Sequence, residues 1–274
     1  MRVIGLLATY NEERFITACL EHLAHQGIDV YIIDNESEDQ TVSLARQFLG
    51  CGVVGIETFP RRGVYSWRSI LKRKEQLAAE LEADWFMHVD ADEIRLAPTS
   101  EQKLSEAFAE ADQQGFNAVN FIEYAFVPTR QSPNHDHSDY LRTMRWYYPI
   151  QPKFPHHLKA WKKQAGRVEL AQSGGHLVHF PGLRMFPKSF LMRHYMFLSA
   201  DHALRKYVQR NYDPKELAQG WHRVRSRLRP EQIVLQDEDE LRYFVSDDCL
   251  DPSNPLKQHP LFTTAGWPSA KHPL

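Results

Sequence analysis

The sequence predicts an α/β fold, a mostly parallel sheet with helices on both faces. Three observations point there. Short apolar runs alternate with segments of helical periodicity through the first half of the chain, and each continuous run suits a strand buried on both faces. Repeated strand–helix–strand units imply right-handed crossovers within one sheet. Polar residues gather where the runs stop, and open sheets of this kind bind ligands outside the carboxyl ends of their strands.

Taken in order, Val3-Ile4-Gly5-Leu6-Leu7-Ala8 is the first strand, ending at Thr9-Tyr10-Asn11, with Asn11 placed to cap the next helix. In that helix Phe15, Ala18, Cys19, His22 and Leu23 recur at helical spacing and form one buried face. Val30-Tyr31-Ile32-Ile33 is the second strand and stops at Asp34-Asn35. Ser37 and Gln40 have capping-box spacing before a helix carrying Val42, Ala45, Phe48 and Leu49. A third strand, 53–58, leads through Pro60-Arg61-Arg62-Gly63 into a helix with Trp67, Ile70 and Leu71 on one side. A fourth, Trp85-Phe86-Met87-His88-Val89, ends in Asp90-Ala91-Asp92-Glu93. After Pro98 and Thr99 come a helix with Leu104, Ala107, Phe108 and Ala111 and a strand over 118–124.

From about Val127 the rhythm changes. Residues 128–160, rich in Pro, His and aromatic side chains, read as a long irregular segment of the kind that carries function or moves. Shorter strands are expected at 142–146, 159–162 and 176–180. Residues 199–229 read as helical and basic, and the tail from Asp247 as irregular and removable. The expected division is a domain over 1–198 and a helical extension over 199–274.

Composition excludes several classes. At 42% hydrophobic and 25% charged residues the chain is too apolar for wholesale disorder. No run approaches the ~20 apolar residues of a membrane span. The opening MRVIGLLATYNEER lacks a small-residue cleavage site and does not read as a signal peptide. With 33 Lys+Arg against 35 Asp+Glu there is no basic field for nucleic acid. Cys19, Cys51 and Cys249 are scattered, which suggests reduced thiols in a cytoplasmic protein rather than a disulfide framework.

Asp90-Ala91-Asp92 places two hard oxygen ligands at the ligand-binding edge, a spacing that suits Mg²⁺ or Mn²⁺ with water and phosphate filling the remaining positions. The alternative is a solvated acidic turn. The rest of the N-terminal half bears on the choice. Ala8-Thr9-Tyr10-Asn11-Glu12-Glu13, then Ile32-Ile33-Asp34-Asn35-Glu36-Ser37-Glu38-Asp39-Gln40-Thr41, then Asp84-Trp85 to Asp90-Ala91-Asp92-Glu93 resemble the three motifs of family 2 glycosyltransferases with the GT-A fold. The likeness covers roughly 1–125, extends loosely to Gly174-Gly175-His176 and Arg193-His194-Tyr195, and is greatest to the branch with Asp-Trp ahead of Asp-x-Asp-Glu.

That resemblance implies a GT-A-like, Rossmann-like three-layer α/β/α domain. It implies Thr9, Asn11 and Glu12 in the nucleotide pocket, Asp34 on the uracil or ribose, and Asp90 with Asp92 on a divalent metal, completed by His176 or His179. The second motif departs from the pattern, with an acidic residue at Glu36 in place of glycine, and no Glu-Asp pair marks the base.

Leaving-group charge in glycosyl transfer is stabilised by a Lewis-acidic ion and by nearby cations. Arg61, Arg62, Arg68 and Lys72 are candidates, with a solvated helix start as the alternative. An acceptor hydroxyl needs a general base, for which Glu123, Asp136, Asp139 and His194 are open. The close pairs His135/His137, His156/His157 and His176/His179 have neither Cys partners nor an HExxH frame for zinc. The basic 199–229 segment reads as a solvated face, as a wall for an anionic glycan or lipid-linked saccharide, or as a peripheral membrane contact through Tyr207, Leu217, Trp221, Val224 and Leu228.

The resulting expectation is a metal-dependent hexosyltransferase-type enzyme. It would move a sugar from a UDP- or GDP-linked donor to an acceptor hydroxyl with inversion, Mn²⁺ or Mg²⁺ serving as cofactor. A non-catalytic nucleotide-sugar or glycan-binding protein is the rival. A sugar-phosphate nucleotidyltransferase is a further one, which Leu7-Ala8-Thr9-Tyr10-Asn11 disfavours by lacking a glycine-rich loop.

Overall fold

The structure, a computed structural model, describes residues 1–151 and 157–260. In chain order it runs β1 (Val3–Thr9), α1 (Ile16–His25), β2 (Asp29–Asp34), α2 (Thr41–Arg46), β3 (Val53–Thr58), α3 (Trp67–Glu80), β4 (Trp85–Asp90), β5 (Glu93–Leu96), α4 (Leu104–Gln113) and β6 (Ala118–Phe126). There follow α5 (Tyr140–Thr143), β7 (Trp146–Ile150), β8 (Leu158–Lys162), β9 (Phe190–Tyr195), α6 (Ala200–Ala203), α7 (Pro214–Ala218) and β10 (Arg242–Tyr243). The sheet is ordered β10-β7-β6-β8-β4-β1-β2-β3, with β9 beside β6 and β5 beside β9.

Strands β3, β2, β1 and β4 form the expected parallel block. Beyond β4 the sheet is mixed, since β8 enters antiparallel between β4 and β6. The register sets Thr9 opposite Asp34 and Ala8 opposite Asp90, so the polar ends of β1, β2 and β4 finish level with one another. This is the α/β/α architecture expected. One layer is built on α1 and α4, whose Phe15, Cys19, Leu23, Leu104, Ala107, Phe108 and Ala111 join Trp85 and Val89 in one core. The opposite layer is built on Leu71, Leu77 and Ala78 of α3, against Ile4, Leu6, Phe86 and Trp161. Each such large apolar side chain contributes on the order of 1.5–3 kcal/mol by burial.

Several local expectations are corrected. Asn11 does not cap α1, which begins only at Ile16. It sits at φ 56° and accepts from the Glu38 N–H (2.8 Å), tying the loop after β1 to the loop after β2. Ser37 is not a cap either. Its hydroxyl turns back to Asp34 (2.6 Å), while Asp39 accepts from the Thr41 N–H at the start of α2 (2.9 Å). The strand expected at 142–146 begins at Trp146, because Tyr140 and Met144, buried at i and i+4, make a helical turn first. Residues 176–180 make only single bridges, Leu177 to Leu158 and His179 to Glu169.

The 199–229 segment is a chain of short turns: α6, a π-helical turn over Leu204–Val208, α7 and a 3₁₀ turn over Arg225–Arg227. Gly220 (φ 88°) and His222 (φ 57°) break any longer helix. Tyr207 and Leu228 bury in a core shared with Ala125 of β6 and Tyr148 of β7, and Trp221 packs on the α3-side core. Tyr207, Trp221 and Leu228 therefore face protein, while Val224 of the same stripe is 39% exposed. No helix among the described residues is long and apolar enough to cross a membrane. Strands β5 and β9 escaped the pattern reading because Glu93, Arg95, Arg193 and His194 interrupt their apolar character.

The tail is also more engaged than its composition suggests. Leu256 exchanges backbone hydrogen bonds with Pro149 and Gln151 (2.9 Å each), Asp251 N–H donates to Tyr147 Oη (3.0 Å), and Tyr148 Oη meets His259 Nδ1 at 2.9 Å. Residues 261–274 lie outside the described residues. Removing 247–274 is therefore expected to lower the melting temperature by several degrees, as read by calorimetry; an unchanged transition would show these contacts to be idle.

A second prediction concerns pH. His22 Nε2 donates to the Arg95 carbonyl (2.6 Å), and burial pushes the imidazole from 6.5 down to about 4. Between those values the unfolded chain binds more protons, so stability rises with pH across that window. The melting temperature should fall as pH drops from 6.5 to 4, and less steeply in His22→Gln.

Candidate active site

The level carboxyl ends of β1, β2 and β4 open into one pocket, walled by Thr9 and Glu12, Asn35, Asp90 and Asp92, and on the far side by Glu123, His176 and His194. Segment 199–229 closes it with Lys206, Arg210, His222 and Arg225.

At its centre is a chain of charge. Asp92 forms a buried ion pair with Lys206, and its Oδ2 lies 3.3 Å from His194 Nε2. His194 Nδ1 is 2.5 Å from Glu123 Oε1, and the other Glu123 oxygen is 3.3 Å from His157 Nδ1. Burial alone would raise the Asp92 carboxyl, but Lys206 and His194 overcome it and hold the group well below the usual carboxylate range. Against the same opposing burial, His194 holds Glu123 low. Burial would lower His194, yet the two carboxylates hold it well above the ordinary imidazole value.

Behind this chain, Glu93 lies between Arg95 and Lys159 (2.6 Å to Lys159); burial opposes the two cations, which bring it down to about 2. Lys74, fully buried, donates to His88 Nδ1 (2.7 Å) and the Val89 carbonyl (3.1 Å), and burial pushes its ammonium down to about 8. Donation to Nδ1 leaves the His88 Nε2 proton on the Asp90 side, 3.8 Å from that carboxylate. Asp90 is the open member of the pair, with its side chain 32% exposed and Lys159 4.0 Å away. Burial, then Glu93, raises its carboxyl. Glu12 is half-buried beside it and pushed up to about 7, chiefly by burial.

Thr9, Glu12, Asp90, Asp92, Glu123, His176 and His194 are thus brought to one pocket. Asn11 lies in an adjoining cleft with Arg61, Arg205 and Arg210. Asp34 stands behind the wall, its carboxylate taken by Thr9 Oγ1 (3.0 Å) and by the Ser37 N–H and hydroxyl, while its neighbour Asn35 faces the pocket.

Arg68 is a correction. It is exposed and donates to Gln219 (2.9 Å), because the N-terminus of α3 points its side chain along α7. Lys72 pairs with Glu75 (2.7 Å), and Arg61 lies over the Tyr10 ring at 3.5 Å. Two base candidates are committed elsewhere: Asp136 to Arg14 and Arg205, and Asp139 to Arg142. His176 packs against His157, ring centroids 5.4 Å apart, and His179 pairs its backbone with Glu169.

The cations at the site are Lys159 on β8, not singled out in the sequence, and Lys206, Arg210 and Arg225 of the basic run, read there as a solvated face, an anionic-glycan wall or a membrane contact. The available cue was aromatic interleaving, Tyr207 and Tyr212 among the bases.

Residues 6–166 match the family model for glycosyl transferase family 2. The chain belongs to that family. Among solved structures, this family member is similar to S. aureus TarS 1-349 in complex with UDP-GlcNAc, at 16% identity over 76% of this chain and 62% of that one, TM-score 0.42. It is also similar to a UDP-glucose pyrophosphorylase complexed with UDP-glucose, at 9% identity over 65% of this chain and 73% of that one, TM-score 0.30. The chain thus spans less than two thirds of that TarS chain. A search of the curated proteins finds no match.

Breaking the Asp92–Lys206 pair leaves a buried carboxylate facing only His194. Lys206→Met is expected to destabilise the protein by roughly 3 kcal/mol in urea unfolding, with Asp92→Asn in the same chain recovering most of the loss. Additive losses would show that the two side chains do not depend on each other.

Proposed function

We propose that this family 2 member is a metal-assisted glycosyltransferase that moves a sugar from a UDP- or GDP-linked donor to an acceptor hydroxyl. The observation that carries the reading is the Glu123–His194–Asp92 chain at the end of β4, facing Lys206 and Arg210 across one pocket.

Three Asp, Glu, His or Cys donors do not converge into an ion site among the described residues. The donor chemistry nonetheless fits an ion that arrives with a diphosphate, since Mg²⁺ is typically held by one or two carboxylates together with substrate phosphates. Asp90 is open, and the Lys206 ammonium already stands against Asp92 as a cation. A histidine whose one nitrogen is held by a carboxylate while the other faces a ligand carboxylate is the arrangement that orients metal-binding imidazoles. Asp90, Asp92 and His194 would hold the ion, His194 losing its Nε2 proton on binding and standing in the third place rather than His176. When bound, the ion supplies Lewis-acid stabilisation of the leaving diphosphate.

The chain's own residues do the remainder. Arg210, whose guanidinium lies on Tyr65 rather than on a carboxylate, and Lys206 receive phosphate charge. Thr9, Asn35 and Glu12 border the nucleoside side. Glu123 orients His194, since its two oxygens are engaged by His194 and His157; it is a positioning residue rather than the free base. Direct displacement with inversion is what the family resemblance implies. Cys19, Cys51 and Cys249 are free thiols, which supports a cytoplasmic setting.

Calorimetric titration with UDP and GDP, with and without Mn²⁺, tests the proposal. One nucleotide is expected to bind more tightly with Mn²⁺, and Asp92→Asn to abolish that gain. Binding indifferent to both would overturn metal assistance, and binding without donor hydrolysis or transfer would favour a sugar-nucleotide binding protein.

A further inference from the structure

Helix α3 has no acidic residue in its first turn and no side-chain cap from Ser66. Its exposed amides would stand unsatisfied. They are met instead from far along the chain by Glu216 of α7, a side chain only 4% exposed. Its carboxylate accepts from the Arg68 N–H (2.6 Å), the Trp67 N–H (3.1 Å) and the Ser66 hydroxyl (3.3 Å), and lies 3.1 Å from His222 Nε2. A carboxylate at a helix N-terminus is also favoured by the helix dipole.

Around this cap the two segments are stitched together. Tyr65 N–H donates to the Asn211 carbonyl (2.7 Å), Asp213 N–H to the Tyr65 carbonyl (3.1 Å), and Asn211 Nδ2 to the Gly63 carbonyl (2.7 Å). The His222 ring stacks on Tyr212 at 4.9 Å and is held in a left-handed backbone conformation. Lys206 and Arg210 lie just before this docked stretch and Arg225 just after it, and all three enter the pocket. Arg210 rests 4.5 Å over the ring of Tyr65, two residues before the capped amides.

We propose that Glu216 is a positioning residue, a latch that docks residues 211–222 on the start of α3 and so sets Arg210 where it meets an anionic ligand. The proposal rests on the reading that the pocket takes a nucleoside diphosphate. Glu216 itself touches no ligand and acts through Arg210.

The test is UDP titration of wild type, E216A, E216Q, R210A and E216A/R210A, alongside melting curves and amide exchange at 63–68 and 204–225. E216A should weaken UDP binding roughly tenfold, about 1.4 kcal/mol, and E216Q less, because its amide oxygen still accepts from the helix amides. The double variant should bind UDP no more weakly than R210A, since a residue acting through Arg210 has nothing left to position.

A lowered melting temperature with wild-type UDP affinity, or losses that add in the double variant, would overturn the latch. If E216A fails to fold, E216Q carries the same comparison. If wild type does not bind UDP, the same comparison is made with GDP; if it binds neither, the nucleotide reading fails, and the latch is then judged without nucleotide. Faster exchange at 204–225 in E216A would sustain it, and unchanged exchange would overturn it.

Discussion

A carboxylate buried at the end of a central strand has to be matched by a cation, and Asp92 depends on Lys206 for it. The two are far apart in sequence, and desolvating either alone would be strongly destabilising. Their pairing therefore requires residues 199–208 to lie across the carboxyl edge of the sheet. Once the segment lies there, Arg210, His222 and Arg225 are carried into the pocket wall as well. One electrostatic demand at β4 thus explains why a stretch of short, interrupted turns is part of the site.

The same demand recurs one layer deeper. Glu93, Arg95, Lys159 and Lys74 are buried under the pocket floor, each facing an opposite charge or a hydrogen-bond acceptor. The network is not fully satisfied, since Arg95 Nε and Nη1 lack hydrogen-bond partners among the described residues and the guanidinium lies 4.5 Å over the Phe121 ring. Above it β5 pairs antiparallel with β9, which puts Glu93 opposite His194 in register, and the Tyr195 N–H donates to the Asp92 carbonyl (2.8 Å). Glu123, on the strand next to β9, then meets His194 from the other side.

The legible part of the fold was the part governed by apolar periodicity. Leu104, Ala107, Phe108 and Ala111 fall on one buried face because nothing competes with burial there, and the β1–β4 runs pair as their continuous apolar character implies. Asp90, Asp92 and Thr9 were legible as pocket residues because strand ends are local in sequence, and Glu12 through the family resemblance. Short-range polar chemistry misled at Asn11 and Ser37, where cross-loop hydrogen bonds to Glu38 and Asp34 outcompete helix capping. Arg68 misled because Gln219 lies too far along the chain for any local pattern to reveal it. Lys159 and Lys206 were hidden for the same reason, since charged residues look solvated until their buried partners are known.

The charge count of the pocket bears on the order of events during binding. Asp92, Glu93 and Glu123 are each matched already, by Lys206, by Lys159 with Arg95, and by His194. A diphosphate, on the proposed reading, would meet Arg210, Arg225 and the shared ammonium of Lys206, while Asp90 stands open beside them. If the pocket takes a diphosphate as proposed, the open Asp90 would favour one that carries its own divalent charge over an isolated one. On that reading the Lys206 ammonium would be shared between Asp92 and phosphate, so the ion pair that shapes the site would take part in binding as well.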